Sequence, residues 1–176
     1  MAELSFKVLT YQNWLQPDPV LEFSQVIGGG SAIPGDKIVT IVMQPQLSSR
    51  VPDEVRGLYE VARGALCYGF FFYPLYTLAA EQLFRVAETA LSRKCKDVGA
   101  PRLRNFHDKL EFLLKERIIS ESQGDRWHAV RSLRNRASHP TFQEIWSPGM
   151  AMDALWLVAE LSNELFEAER NSGDRR

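Results

Sequence analysis

From about residue 52 onward the apolar residues recur at helical spacing, and this periodicity limits the fold more than any other feature of the chain. Val55, Leu58, Tyr59, Ala62, Ala65 and Leu66 make one stripe. Ala80, Leu83, Phe84, Ala87 and Leu91 make a second, and Leu103, Phe106, Leu110, Leu113 and Leu114 a third. Trp127, Val130, Leu133 and Ala137 follow, and a fifth stripe runs through Ala151, Ala154, Leu155, Val158, Leu161, Ser162 and Leu165. Each stripe needs an apolar partner to leave water. Five amphipathic helices joined by short loops find those partners in one another, so the expected fold is mainly α, an antiparallel helical bundle of about five helices.

Local signals mark the helix ends. Pro52 suits a first helical turn, with Asp53 and Glu54 at the positive end of the helix dipole. The run DVGAPR at 97–102 breaks the chain. Ser120 and Gln123 have the spacing of a capping box, although Gly124 blurs that start. The fourth helix is expected to stop before Pro140, because a proline pushes the residue ahead of it out of the α region. Ser147 and Pro148 then read as N-cap and first residue of the last helix.

The first fifty residues differ. They hold the turn signals PDP at 17–19, GGG at 28–30 and IPGD at 33–36. Between them lie short β-like runs, above all KIVTIVMQ at 37–44, with a weaker candidate at 5–10. The expected organisation is an N-terminal arm or small β element over 1–49, the helical bundle over 50–170 and a frayed tail over 171–176.

A net charge of −1 excludes a highly basic coat protein for nucleic acid, but not a nuclease with a local positive patch. Cys67 and Cys95 lie 28 positions apart without CxxC spacing, so no disulfide framework is expected and a reducing cytoplasm is the default. The start MAELSFKVLT lacks the pattern of a signal peptide. Residues 64–80 carry no charge for 17 positions, short of the roughly 20 that span a bilayer, and Gly69 and Pro74 interrupt them. They suit a bent, buried helix junction and no membrane span.

RSLRNRASHP at 131–140 is the segment with the clearest chemical content. Positions 127, 130, 134 and 137 share one helix face, so Arg134 lies on or beside the apolar stripe while Arg131 and Arg136 point to solvent. An inward guanidinium needs partners. His139 falls about 140° around an ideal helix from Arg134, but Pro140 is expected to take it out of the helix, where a short turn could swing it back. The negative end of the helix dipole favours its imidazolium form. These residues alone leave two readings open: a structural ion pair with a helix cap, or an Arg/His pair acting on phosphate. Glu81 and Glu88, seven apart on the second helix, share a face and are candidates for a supporting role. Glu81 is expected to pair with Arg85 or to reach Arg134 inside the bundle. Arg93, Lys94, Lys96, Arg102 and Arg104 flank one loop as a candidate phosphate patch. His107, His128 and His139 show no metal-ligand spacing.

LRNRASHP, residues 133–140, resembles the signature of the HEPN superfamily (higher eukaryotes and prokaryotes nucleotide-binding): an Arg, a polar residue that is often Asn, and a His after four to six intervening positions. Here Arg134 and His139 have four residues between them and Asn135 fills the polar position. The longer stretch LRNFHDKLEFLLKERIISESQGDRWHAVRSLRNRASHP and the upstream EVARGALCYGFFFYPLYTLAAEQLFRVAETAL are similar to a variant found with prokaryotic defence and restriction-type proteins. The resemblance spans roughly residues 50–168.

The resemblance implies a helical bundle whose motif sits near the end of a late helix. It also implies a metal-independent endoribonuclease without cofactor, acting as a homodimer with two Arg/His motifs across one cleft. His139 would be general base or acid at the ribose 2′-OH or the leaving oxygen, Arg134 would bind the scissile phosphate, and Asn135 would orient the pair or contact phosphate. A toxin or phage-defence setting with RNA as substrate and an antitoxin as partner follows from the same likeness. Many active members carry a tyrosine two positions after the His, where this chain has Thr141, and many members are non-catalytic. The alternative is thus a non-catalytic dimerisation or nucleotide/RNA-binding module.

Overall fold

A computed structural model describes residues 7–21, 34–137 and 145–167. Six helices stand among them: α1 (Gly35–Met43), α2 (Asp53–Tyr68), α3 (Leu75–Asp97), α4 (Phe106–Lys115), α5 (Glu121–Ala137) and α6 (Pro148–Glu167). Together they form a helical bundle, and the described residues contain no strand. No helix among them is long and apolar enough to cross a membrane.

α3 is the axis of the bundle and packs against α2, α4, α5 and α6. Its sequence explains why it can take four neighbours. Ala79, Ala80, Ala87 and Ala90 are fully buried beside Leu83, Val86 and Leu91. Small side chains at these positions let the surrounding helices close in, and the leucines fill the spaces that remain. The stripes expected on α2, α5 and α6 meet there through Tyr59, Leu66, Trp127, Val130, Leu155 and Leu161, all 2 % exposed or less. Each such side chain, once withdrawn from water, contributes roughly 1.5–3 kcal/mol.

The helix ends follow the local chemistry. At α5 the capping box forms: the Gln123 amide donates to Ser120 Oγ (3.3 Å) and the Ser120 amide donates to Gln123 Oε1 (3.0 Å). Gly124 does not interrupt this helix. A methyl group there would lie 2.8 Å from Leu114 Cδ2, so the glycine allows α4 and α5 to touch. Asn105 caps α4 by accepting from the Asp108 amide, which leaves Leu103 ahead of the helix rather than in it. Ser147 Oγ accepts from the Met150 amide at the start of α6.

Two departures concern the first half of the chain. Residues 37–43, expected as a strand, belong to α1. Their β-branched side chains favour strands only weakly, and an isolated strand leaves its backbone groups without partners. As a helix, the segment buries Ile38 and Val42, one turn apart, against α2 and α6. Residues 7–10, part of the second β-like run, carry no regular structure. Residues 7–21 are tied firmly to the bundle. Lys7 Nζ donates to the Gln16 and Phe71 carbonyls (2.6 and 3.0 Å). Asp18, fully buried, accepts from the amides of Tyr73 (2.8 Å) and Val20 (3.0 Å), while its own amide donates to the Phe70 carbonyl. The arm thereby satisfies the backbone of the α2–α3 junction, the bend that divides the uncharged run at 64–80.

Candidate functional site

The buried stripe of α5 turns Arg134 toward α3. Val130 and Trp127 are buried one and two turns earlier on the same face, and the guanidinium follows them to the edge of the core. There Arg134 Nη2 lies 3.3 Å from Glu88 Oε2. The second oxygen of the same carboxylate, Glu88 Oε1, lies 3.3 Å from Lys109 Nζ on α4. One carboxylate on the central helix thus meets a cation from each of two neighbouring helices. The side chains are 29 % (Glu88), 39 % (Arg134) and 13 % (Lys109) exposed, so the cluster is screened from water on the Lys109 side and open on the Arg134 side.

The open side is a cleft of about 290 Å³ between α3 and α5, lined by Glu81, Phe84, Arg85, Glu88, Arg134 and Ala137. Phe84 forms its apolar wall and is itself held by an edge-on contact with Trp146 (centroids 5.8 Å apart). The cleft offers a partly exposed planar guanidinium, a second arginine and two carboxylates. A planar fork of this kind suits a phosphate oxygen pair. Glu88 is the group with which such an anion competes.

Of the residues singled out from sequence, Arg134, Glu81 and Glu88 come together in this cleft. It is Glu88, not Glu81, that pairs with Arg134. Glu81 and Arg85 are both exposed, and among the described residues no ion pair joins them. Asn135 is exposed, and its Oδ1 accepts a long 3.5 Å hydrogen bond from Arg134 Nη1. Arg136 is exposed, as its position on the helix requires, whereas Arg131 is half-buried. His139 lies outside the described residues. His107 and His128 both face Glu111 (3.5 and 3.6 Å) on the surface between α4 and α5, away from the cleft lining.

Of the five basic residues that flank one loop, Lys96, Arg102 and Arg104 are exposed, and the other two are engaged. Lys94 is buried with its ammonium over the Phe166 ring, and Arg93 is paired with Asp97 and Glu54. Lys109 was missed from sequence. Its place three residues after Phe106, beside the stripe through Leu110 and Leu113, is the signal that it leans inward. The cysteines are unsuited to nucleophilic work: burial pushes both thiols up, at Cys67 and at Cys95, with Arg63 and Lys109 respectively opposing. A thiol raised in this way stays protonated at neutral pH.

No curated protein and no solved structure matches the chain. Residues 68–171 match the family model described as "Domain of unknown function (DUF4145)", a span that runs from the α2–α3 junction past the end of α6 and holds Glu81, Glu88, Lys109, Arg134 and His139. That match covers more than half of the sequence, and the chain belongs to this family.

Proposed function

We propose that the chain is an HEPN-like, metal-independent endoribonuclease that cleaves RNA by attack of the ribose 2′-OH, with Arg134 and His139 as its reacting groups. The observation that supports this reading is the position of Arg134: turned inward onto a cleft, paired with the Glu88 carboxylate, and still 39 % exposed. Ala137 lines the same cleft, and His139 follows it by two residues.

In this reading a His139 imidazole takes the proton of the 2′-OH, and the 2′-oxygen attacks phosphorus. The bond to the 5′-oxygen breaks, and that oxygen takes a proton from the His139 of a second copy, leaving a 2′,3′-cyclic phosphate. Arg134 holds the non-bridging oxygens as charge develops on them. Asn135 keeps the guanidinium in plane, and Glu88 positions it between turnovers. The need for a 2′-OH selects RNA over DNA. A toxin or phage-defence role, with an antitoxin as partner, is the biological setting that the HEPN resemblance suggests.

One observation favours a second reading. Arg134 is already paired with Glu88, which is also paired with Lys109, as in a structural ion-pair network. The domain would then be a non-catalytic dimerisation or nucleotide/RNA-binding module. The two readings separate in one experiment. The full chain is incubated with a mixed RNA pool in EDTA, beside Arg134→Ala and His139→Ala, with circular dichroism as a check of folding. Cleavage that falls at least about 100-fold in both folded variants supports the enzyme. RNA left intact by the wild type in EDTA and in Mg²⁺ overturns it.

A further inference from the structure

Two of the three groups that meet at the Glu88 carboxylate line the cleft, and the third stands behind its wall. Glu88 and Arg134 are lining residues. Lys109 is not one of them, and its ammonium lies against the far oxygen of the same carboxylate. The charges of the lining cancel, with Glu81 and Glu88 set against Arg85 and Arg134. A neutral cleft does little to draw in an anion, because what its guanidiniums attract its carboxylates repel. Adding Lys109 behind the wall brings that sum to one net positive charge.

We infer that Lys109 is a positioning residue for anion binding in this cleft, retaining Glu88 when a phosphate group displaces that carboxylate from Arg134. The inference rests on the assignment of Arg134 to phosphate under Proposed function, and its test needs no cleavage. The two ends of Glu88 differ in how easily they let go. Lys109 is 13 % exposed, so an ammonium that lost its carboxylate there would be left unpaired where water reaches it poorly, at high cost. Arg134 is 39 % exposed and meets the incoming anion as it leaves Glu88, so its charge keeps a partner throughout. Exchange therefore takes place on the Arg134 side, and Glu88 swings toward Lys109. Held there, the carboxylate keeps a countercharge, which weakens its repulsion of the phosphate.

The residue types suit this division of labour. A compact ammonium acts as a point charge on one carboxylate oxygen and leaves the other for Arg134, whereas the planar fork of Arg134 matches a pair of phosphate oxygens. Lys109 is also well anchored. Phe106, Leu110 and Leu113 of its own helix are buried, and its carbonyl accepts from Cys95 Sγ (3.7 Å) on α3, the helix that carries Glu88. The ammonium thus stays in place while the carboxylate moves.

The test is binding of a short fluorescein-labelled 2′-O-methyl RNA to the full chain at low salt, read by fluorescence anisotropy, with circular dichroism as a check of folding. This probe carries phosphates but no free 2′-OH, so it is bound and not cut. Lys109→Met is expected to weaken binding at least about fivefold, and Glu88→Gln to tighten it at least about fivefold. The double variant K109M/E88Q should bind at least as tightly as wild type, because with the carboxylate neutral Lys109 has nothing to hold. A residue that only supported the fold, or that touched the probe directly, would weaken binding by the same factor in either background. The inference is overturned if wild type does not bind the probe, if K109M binds as wild type does, or if the double variant is as weak as K109M. Cleavage of unmodified RNA by the same samples keeps the two claims apart. The expected order of affinities without cleavage removes the nuclease and leaves the role of Lys109; cleavage without that order does the reverse.

Discussion

Glu88 is the residue on which the α3–α4–α5 junction depends, and Glu88→Gln is its most direct test. The substitution keeps the shape of the side chain and removes one charge. It leaves Lys109 and Arg134, each 3.3 Å from an oxygen of that side chain, as like charges facing a neutral amide. Breaking a fully buried pair costs about 3–5 kcal/mol and an exposed one about 0–1 kcal/mol. With side chains 13 to 39 % exposed, this cluster falls between those limits. The expected loss is about 2 kcal/mol, of which the Lys109 side contributes the larger part because it is the better shielded. For a domain of this size that corresponds to a fall in Tm of about 4–8 °C. Thermal unfolding followed by circular dichroism measures it. A double-mutant cycle with Arg134→Gln isolates the pair, with an expected coupling of about 1 kcal/mol. A Tm within about 1 °C of wild type, or a cycle without coupling, would refute the view that this carboxylate joins the three helices.

Two further outcomes follow from the α2–α3 junction. A methyl group at Gly69 would lie 2.7 Å from Tyr76 Cζ in a fully packed region, so Gly69→Ala is expected to cost about 1–3 kcal/mol in urea unfolding; an unchanged midpoint would show that the bend has slack. Burial pushes the phenols of Tyr59, Tyr73 and Tyr76 up, with Asp18 adding to the effect at Tyr73 and Tyr76. A raised folded pKa means the folded state holds its proton more tightly, so this stability is complete below the unfolded value of about 10 and is lost progressively as pH rises from there through the folded value. The urea midpoint should fall steeply above about pH 10, and less steeply in Tyr76→Phe. The Tyr76 hydroxyl is buried without a hydrogen-bond partner among the described residues, so that variant should match or exceed wild type at pH 7. A variant that falls as steeply as wild type would assign the alkaline loss to other groups.

The apolar periodicity of α2 to α6 was legible before any coordinates, because burial of one face requires it wherever the partners happen to be. The capping residues Ser120, Gln123 and Ser147 were legible for a similar reason: a helix end must satisfy its amides locally. The inward direction of Arg134 also followed from its spacing to Trp127 and Val130. Three matters were decided only by the tertiary structure. α1 is helical because α2 and α6 offer a surface for Ile38 and Val42, a gain larger than the weak local preference of its β-branched residues. Lys94 is buried because Phe166 of α6 passes beneath it, which no pattern within α3 discloses. Glu81 and Glu88 share a face of α3 and are equivalent as sequence. They stand two turns apart, about 10 Å, and the crossing of α5 over α3 pairs Arg134 with Glu88 rather than Glu81. Periodicity fixes which way a side chain points on its own helix; how far along that helix its partner lies is a property of how two helices pack.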